Sequence, residues 1–261
     1  VEQAELRRYL ALIYQLFRRD LTERYQGTVL GFAWLLVQPL FMLGLYTLIF
    51  SEVLQVRFNA QASNTHFALY VFTGLLAFNA CAEVLTRSTT LITERRDWLL
   101  NTALPSWILP MIPVIVSVVL EGLALCVLLT ALLVTGQLQV LGLVFYLPFL
   151  LIRILFSLAA AYSLAVLGVF LRDLRQLMPA FLTVLLFISP LLYPLELIPT
   201  DLRPLYDWNP LAQLVEAYRA ALLQGVFEAE RFGALLLVST SALVAAAWLF
   251  QSLMPRARYV L

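Results

Sequence analysis

The sequence predicts an all-α polytopic membrane protein with six transmembrane helices, an N-terminal amphipathic interface helix and short outer re-entrant helices. Three observations lead there. About 62% of the residues are hydrophobic and the mean hydropathy is +0.89. Apolar stretches at 28–50, 66–86, 105–134, 139–170, 177–195 and 232–251 each approach or exceed the ~20 residues that a helix needs to cross a bilayer. The few charges fall in tight clusters between these stretches. Backbone polar groups cannot stay open in lipid, so stretches of this length must be helical.

Residues 1–25 do not span. Leu6, Leu10, Ile13, Phe17 and Leu21 recur at three- and four-residue steps while Arg7, Arg8, Gln15, Arg18 and Arg19 take other faces. That pattern fits a helix lying in the interface plane, or one resting on a soluble partner. These residues are too charged for a cleavable signal peptide, so the run from Thr28 reads as a retained first span. A short polar outer loop follows, and the second span descends to about Thr86. Arg87–Asn101 is then the most charged stretch within the membrane region. Pro105, Pro110 and Pro113 remove backbone donors and predict an irregular start to the third span. Residues 136–139 form a tight outer turn, and residues 171–176 a brief inner loop that makes spans four and five a close hairpin.

The stretch from Ser189 to Glu230 is different, because prolines at 190, 194, 199, 204 and 210 interrupt it. Leu211–Leu223 suits one short amphipathic helix, with Asn209 as its cap and Pro210 at its first position. Broken elements at membrane depth occur only where protein buries them or a cavity faces them, so this is read as a re-entrant or surface-lying segment at the outer mouth. An ordinary extracellular loop is the alternative.

The 261 residues suit one membrane domain and leave no room for a soluble domain of ordinary size. The net charge of +1 offers no field for a bulk charged partner, nucleic acid included. All 17 basic residues are arginines. With the N-terminus in the cytoplasm, Arg7, Arg8, Arg18, Arg19, Arg24, Arg87, Arg95, Arg96, Arg172, Arg175, Arg256 and Arg258 face inward. Only Arg57, Arg203, Arg219 and Arg231 face outward. This asymmetry places both ends of six spans in the cytoplasm.

Two charges lie within spans. Glu121 is 14 residues before Thr135 and Arg153 is 14 residues after Gln139, which puts both about 21 Å below the outer turn. At matched depth in adjacent spans they are candidates for an intramembrane ion pair, either fixing helix packing or meeting substrate. Cys81 and Cys126 lie in apolar spans and read as small buried hydrophobes. His66 is the lone histidine and has no second metal ligand near it. No catalytic set stands out. With no lysine and no phosphate-binding loop, the chain has no ATPase site of its own.

Several segments carry a resemblance. Arg19-Asp20-Leu21-Thr22-Glu23-Arg24-Tyr25-Gln26-Gly27-Thr28-Val29-Leu30-Gly31-Phe32-Ala33-Trp34, followed by Gln38-Pro39, resembles the opening signature of the membrane-spanning subunits of type-2 ABC exporters of polysaccharides. Phe170–Leu177 resembles that family's inner loop between spans four and five. Ser189–Pro194, Asn209-Pro210-Leu211 and Glu216-Ala217-Tyr218-Arg219 resemble its outer segment. The likeness covers nearly the whole chain in order.

The resemblance implies a single transmembrane domain over 1–261, with an interface helix at 1–27, a cytoplasmic coupling segment at 87–101 and an outer re-entrant segment at 189–230. It also implies that two such subunits pair with two separate nucleotide-binding subunits. Those would hold ATP and Mg, and this chain would bind no cofactor. Members export lipid-linked O-antigen, capsular polysaccharide or teichoic acid across the bacterial inner membrane.

Thr93, Glu94, Arg95, Arg96, Asp97 and Trp98 then fall at the coupling position, offering charge and an aromatic anchor to the ATPase. Arg18, Arg19, Arg24 and Tyr25 fall where an interface helix meets inner-leaflet phosphates and a substrate headgroup; plain anchoring to membrane lipids is the alternative. Tyr46, Phe50, Tyr70, Phe78, Tyr193 and Tyr218 are candidates for a polysaccharide path, or for the aromatic belt of any membrane protein. O-antigen or capsule is the favoured cargo over teichoic acid. An exporter of lipid or drug, a secondary transporter or channel, and a membrane scaffold remain the competing readings.

Overall fold

The computed structural model describes residues 2–49, 64–101, 105–193 and 198–260. Helix α1 (Glu2–Tyr25) is followed by a 3-10 turn (Gly31–Ala33) and α2 (Trp34–Thr47). Then come α3 (Asn64–Ser88), the short α4 (Leu91–Glu94) and α5 (Arg96–Asn101), and a 3-10 turn (Ser106–Ile108) leading into α6 (Met111–Val134). Helices α7 (Val140–Phe170) and α8 (Leu174–Ile188) precede α9 (Arg203–Asp207), α10 (Pro210–Arg219) and α11 (Ala229–Val260). No strand occurs among the described residues. The polar loop expected at 51–64, Arg57 and Phe50 lie outside the described residues or at their margin.

Four helical stretches are long and apolar enough to cross a membrane: Phe67–Ser88, Ser106–Val134, Val140–Phe170 and Ala229–Val260. Gly31–Thr47 and Leu174–Ile188 are apolar but shorter. The fifth expected span, 177–195, therefore stops early, and the cause is local. Ser189 precedes Pro190 and adopts the extended conformation (ψ 132°) that proline imposes on its predecessor. Fifteen residues reach only about 22 Å, short of the ~30 Å hydrocarbon core.

Helix α6 starts irregularly, as the prolines predict, through the 3-10 turn before Met111. It ends in a Schellman turn: Gly136 takes φ +70°, its N–H donates to Leu133 O at 3.1 Å and that of Gln137 to Leu132 O at 2.8 Å. A side chain at this position would be strained, which is why glycine sits there. Asn209 caps α10 through Oδ1, which accepts the Leu211 N–H at 3.0 Å. Beyond Arg219 the chain loosens into a π-turn, Ala220–Gln224.

Helices α7 and α11 lie along each other. Tyr162 meets Phe250 edge-on at 5.2 Å near one end, and Phe149 meets Phe232 at 5.9 Å near the other. In lipid, close packing supplies what the hydrophobic effect supplies in water, and small residues permit it. Buried Ser157, Ala161, Ala165 and Gly168 give α7 such a row on another face, where Ala161 packs with Val84 of α3 and Val114 of α6. At Gly168 an added Cβ would lie 2.0 Å from Thr89 O, so α7 touches the backbone before α4.

Two large apolar cores result, with a small third one of Val84, Val114 and Ala161. One joins α3, α6, α7, α10 and α11 through Phe72, Leu128, Phe149, Leu214 and Leu235. The other joins α1, α4, α6, α7 and α11 through Leu16, Ile92, Val116, Val166 and Met254. The apolar stripe of α1 is rotated from its expected centre, since Leu16 is buried while Leu10 is 56% exposed. Cys126 likewise faces outward instead of into the core, and Cys81 is half-buried.

Candidate functional site

The charges that the sequence leaves inside the bundle form a connected hub. Arg153 and Glu121 make a salt bridge between α7 and α6, and both side chains are shut off from solvent. Ser117, one turn before Glu121 on the same helix face, accepts from Arg153 Nη1 at 2.8 Å. Two tyrosine hydroxyls donate to Glu121 Oε1: Tyr146 at 3.0 Å and Tyr218 at 2.8 Å. Their rings pack edge to face with centroids 4.8 Å apart. Each charge thus has its counter-charge and added hydrogen bonds, which a buried ion pair needs to be tolerated.

Tyr218 brings the α10 segment into this hub. The next residue, Arg219, holds the same segment from the other side. Its Nη1 and Nη2 donate to Pro190 O at 2.7 Å and Leu191 O at 2.9 Å, carbonyls freed by the end of α8. Its Nε donates to Tyr70 O at 3.2 Å and Nη1 to Glu216 at 2.6 Å, while the guanidinium lies 3.5 Å from the Tyr70 ring centroid. A Cβ at Gly74 would stand 2.7 Å from Arg219 Nη2, so glycine makes room for the guanidinium.

At the other end of the bundle, α1 meets the elbow formed by α4 and α5. Arg95, between the two short helices, points to Asp20 (3.3 Å) and Glu23 (3.7 Å) of α1. Arg19 pairs with Glu23 and sits 4.6 Å over the Trp98 ring. Thr93, Glu94, Arg96 and Asp97 are exposed. The six residues of the expected coupling segment therefore divide: four face outward, and Arg95 and Trp98 turn to α1.

Arg24 pairs with Glu83 of α3, and Arg87 approaches the same carboxylate at 3.4 Å. Burial works against the Arg24 charge, but Glu83, by its charge and hydrogen bond, outweighs it and raises the pKa above the ordinary arginine value. This group opens a cavity of about 410 Å³ between α1, α2, α3 and α6. Its lining includes Arg24, Tyr25, Glu83 and Arg87, then Gln38, Asn79 and Tyr46, Ser117 and Glu121 of the hub, and apolar side chains such as Leu35, Met42, Phe72 and Leu75. The cavity thus touches both the cluster of arginines and the hub, with polar and apolar side chains mixed along it.

The aromatic candidates do not converge on one path within the chain. Tyr46 lines the cavity. Tyr70 lies against Arg219, and Tyr193 donates to Phe187 O and shares a 2.8 Å hydrogen bond with Tyr206. Phe78 and Tyr218 are core residues. Arg18, unlike Arg19 and Arg24, has no ion pair among the described residues. No cluster of potential metal ligands occurs among the described residues.

Sequence reasoning matched Glu121 to Arg153 by depth but missed Ser117 and Tyr146. Their spacing carried the signal, because Ser117 is four residues from Glu121 and Tyr146 seven from Arg153, each on the same helix face. Nothing in the local pattern marked Asp20 or Glu23 as partners of Arg95.

The geometry can be set beside known proteins. The ABC-2 type transporter family profile matches residues 11–223. The chain is 30% identical over 251 residues to the O-antigen export system permease protein RfbA of Myxococcus xanthus, covering 95% of this chain and 94% of that protein. It is 25% identical over 224 residues to the protein of the same name from Klebsiella pneumoniae, covering 84% and 83%. With the polysialic acid transport protein KpsM of Escherichia coli it shares 26% identity over 217 residues, 80% of each chain.

Proposed function

The chain belongs to the ABC-2 type transporter family, and from that premise we propose that it is the membrane subunit of an ATP-driven exporter of lipid-linked polysaccharide, of the O-antigen or capsule class. The observation that carries the reading is likeness along nearly the full length to an O-antigen export permease. The absence of lysine and of a phosphate-binding loop supports a division of labour, in which two separate ATPase subunits hold ATP and Mg and this chain forms the path.

In this reading the four long helices and the shorter α2 and α8 are the six spans of each subunit, and two copies surround the path in the bacterial inner membrane. Helix α1 lies in the interface plane. Arginine asymmetry puts both ends of the chain in the cytoplasm, so α4 and α5 face the ATPase while α9 and α10 form the outer re-entrant segment. The exposed Thr93, Glu94, Arg96 and Asp97 offer the docking contacts.

Arg24 and Arg87 share one carboxylate in the cavity lining, which leaves net positive charge to meet a headgroup phosphate. Gln38, Asn79 and Tyr46 then offer hydrogen bonds and a ring face, the two kinds of contact that a sugar chain uses.

Co-expression with the cognate ATPase tests the reading. The complex should copurify, and cells should display polymer that disappears when either gene is deleted. Retention of surface polymer without this chain would sink the proposal. Orientation is tested separately after replacement of Cys81 and Cys126. A cysteine at Arg203 should react with an impermeant thiol reagent in intact cells and one at Arg96 should not, both positions being exposed.

A further inference from the structure

We infer that Arg95 is a positioning residue that ties the ATPase-facing elbow to helix α1, so that movement of the elbow is passed to α1 through the ion pairs of Arg95 with Asp20 and Glu23. The inference rests on the exporter reading for the origin of that movement, and on geometry for the tie itself.

Three observations carry it. First, the elbow's charges are sorted by direction. Glu94, Arg96 and Asp97 are exposed, whereas the Arg95 side chain keeps only 12% of its surface and Asp20 15%. A charge that far withdrawn from water needs its partner, and both of the partners of Arg95 lie on α1. Second, the contact is doubled. Arg19 links the same Glu23 to Trp98, so residues 19, 20 and 23 on one face of α1 engage residues 95 and 98, one helical turn apart on the elbow. Third, an apolar seam lies beneath the charges. Leu16 of α1 belongs to one core with Leu91, Ile92 and Leu99 of the elbow, and Phe17 and Leu21 pack against it. Ion pairs fix the register of such a contact, while the apolar seam lets the two elements move as one body.

Helix α1 leads through Arg24 and Tyr25 to the cavity lining, where Arg24 holds Glu83. A shift of the elbow is thereby delivered to the wall of the cavity that Arg24 and Tyr25 form. Arg95 touches neither the ATPase nor the cargo in this scheme.

A charge swap decides the matter. The chain is co-expressed with its ATPase, and Arg95→Asp, Asp20→Arg, the double swap and the milder Arg95→Gln are compared. The readouts are ATPase copurification, ATP hydrolysis, surface polymer and the thermal unfolding midpoint of the purified complex. Arg95→Asp should leave copurification and hydrolysis within about twofold of wild type and lower surface polymer about tenfold, and the swap should recover at least about half of the loss. Loss of the ATPase from Arg95→Asp with no recovery in the swap would make Arg95 a docking residue and overturn the inference. Unchanged export in every variant would overturn it equally. If wild type neither binds an ATPase nor exports polymer, the exporter reading fails instead. The tie is then judged by unfolding alone, where strictly additive losses in the two singles and the swap would show that Arg95 and Asp20 do not meet.

Discussion

Glu121 and Arg153 expose 1% and 0% of their side chains, whereas the ion pairs between α1 and the elbow keep between 12% and 48%. The first pair lies within two spans and is wrapped by Ser117, Tyr146 and Tyr218. In the second group Glu23 is shared by Arg19 and Arg95, and Arg19 and Glu23 keep nearly half of their side-chain surface. Burial accounts for the contrast. A charge inside the bundle has no water to fall back on, so its partners must be fixed: Arg153 bonds through Nη1 and Nη2, while its buried Nε has no partner among the described residues. The Arg19–Glu23 pair, nearly half exposed on both sides, is screened and contributes little, whereas Arg95 and Asp20 are withdrawn enough to depend on each other. The hub is suited to holding the spans together, and the α1 ring to carrying α1 along with the elbow.

The sharpest way to break this comparison is to orphan one half of the hub. Arg153→Gln or Glu121→Gln alone should lower stability by about 3–5 kcal/mol, seen as loss of folded yield and of the unfolding midpoint in detergent. The double glutamine variant should recover part of that. Purely additive losses would mean that the pair contributes nothing as a pair. Normal folding with lost export in both singles would move the pair from packing to the translocation path.

Tyr218→Phe should cost less, about 1.5–3 kcal/mol, because Glu121 keeps Arg153 and Tyr146 when one hydroxyl is removed. Its effect should extend to α10, where hydrogen exchange should speed up relative to α7. Equal exchange in both variants would detach the outer segment from the hub.

Arg19→Gln should cost least, about 0.2–1 kcal/mol, given that both side chains of its ion pair are nearly half exposed. Its effect should shrink as salt rises, while the losses at Arg153 should be nearly insensitive to salt. A salt-independent loss at Arg19 would show that the ring is drier than its exposure implies.

Much of the scaffold was legible in the chain. Apolar runs located the four long helices, Asn209-Pro210 marked the start of α10, and the prolines before Met111 announced an irregular start. Ser189-Pro190 carried the early end of α8 as well, although an apolar run of 177–195 hid it: hydropathy continues through a proline that helix geometry does not. The site was legible in part. Depth counting could match Glu121 to Arg153 because both distances run along regular helices from one turn. It could not find Tyr218, 97 residues from Glu121, or Asp20, 75 residues from Arg95.

What the sequence determined by itself are properties that each segment carries alone. These are length against bilayer thickness, the capping and breaking of helices, and the uneven spread of arginines between the apolar runs. The tertiary structure decided which faces meet. Helix rotation turned Leu16 inward and Leu10 outward on α1, sent Arg95 to α1 while Arg96 stayed exposed, and aimed Tyr218 at Glu121 and Arg219 at Tyr70. Adjacent residues on a helix point about 100° apart, so a small rotation set by packing against distant elements exchanges their partners, and no local pattern records that rotation.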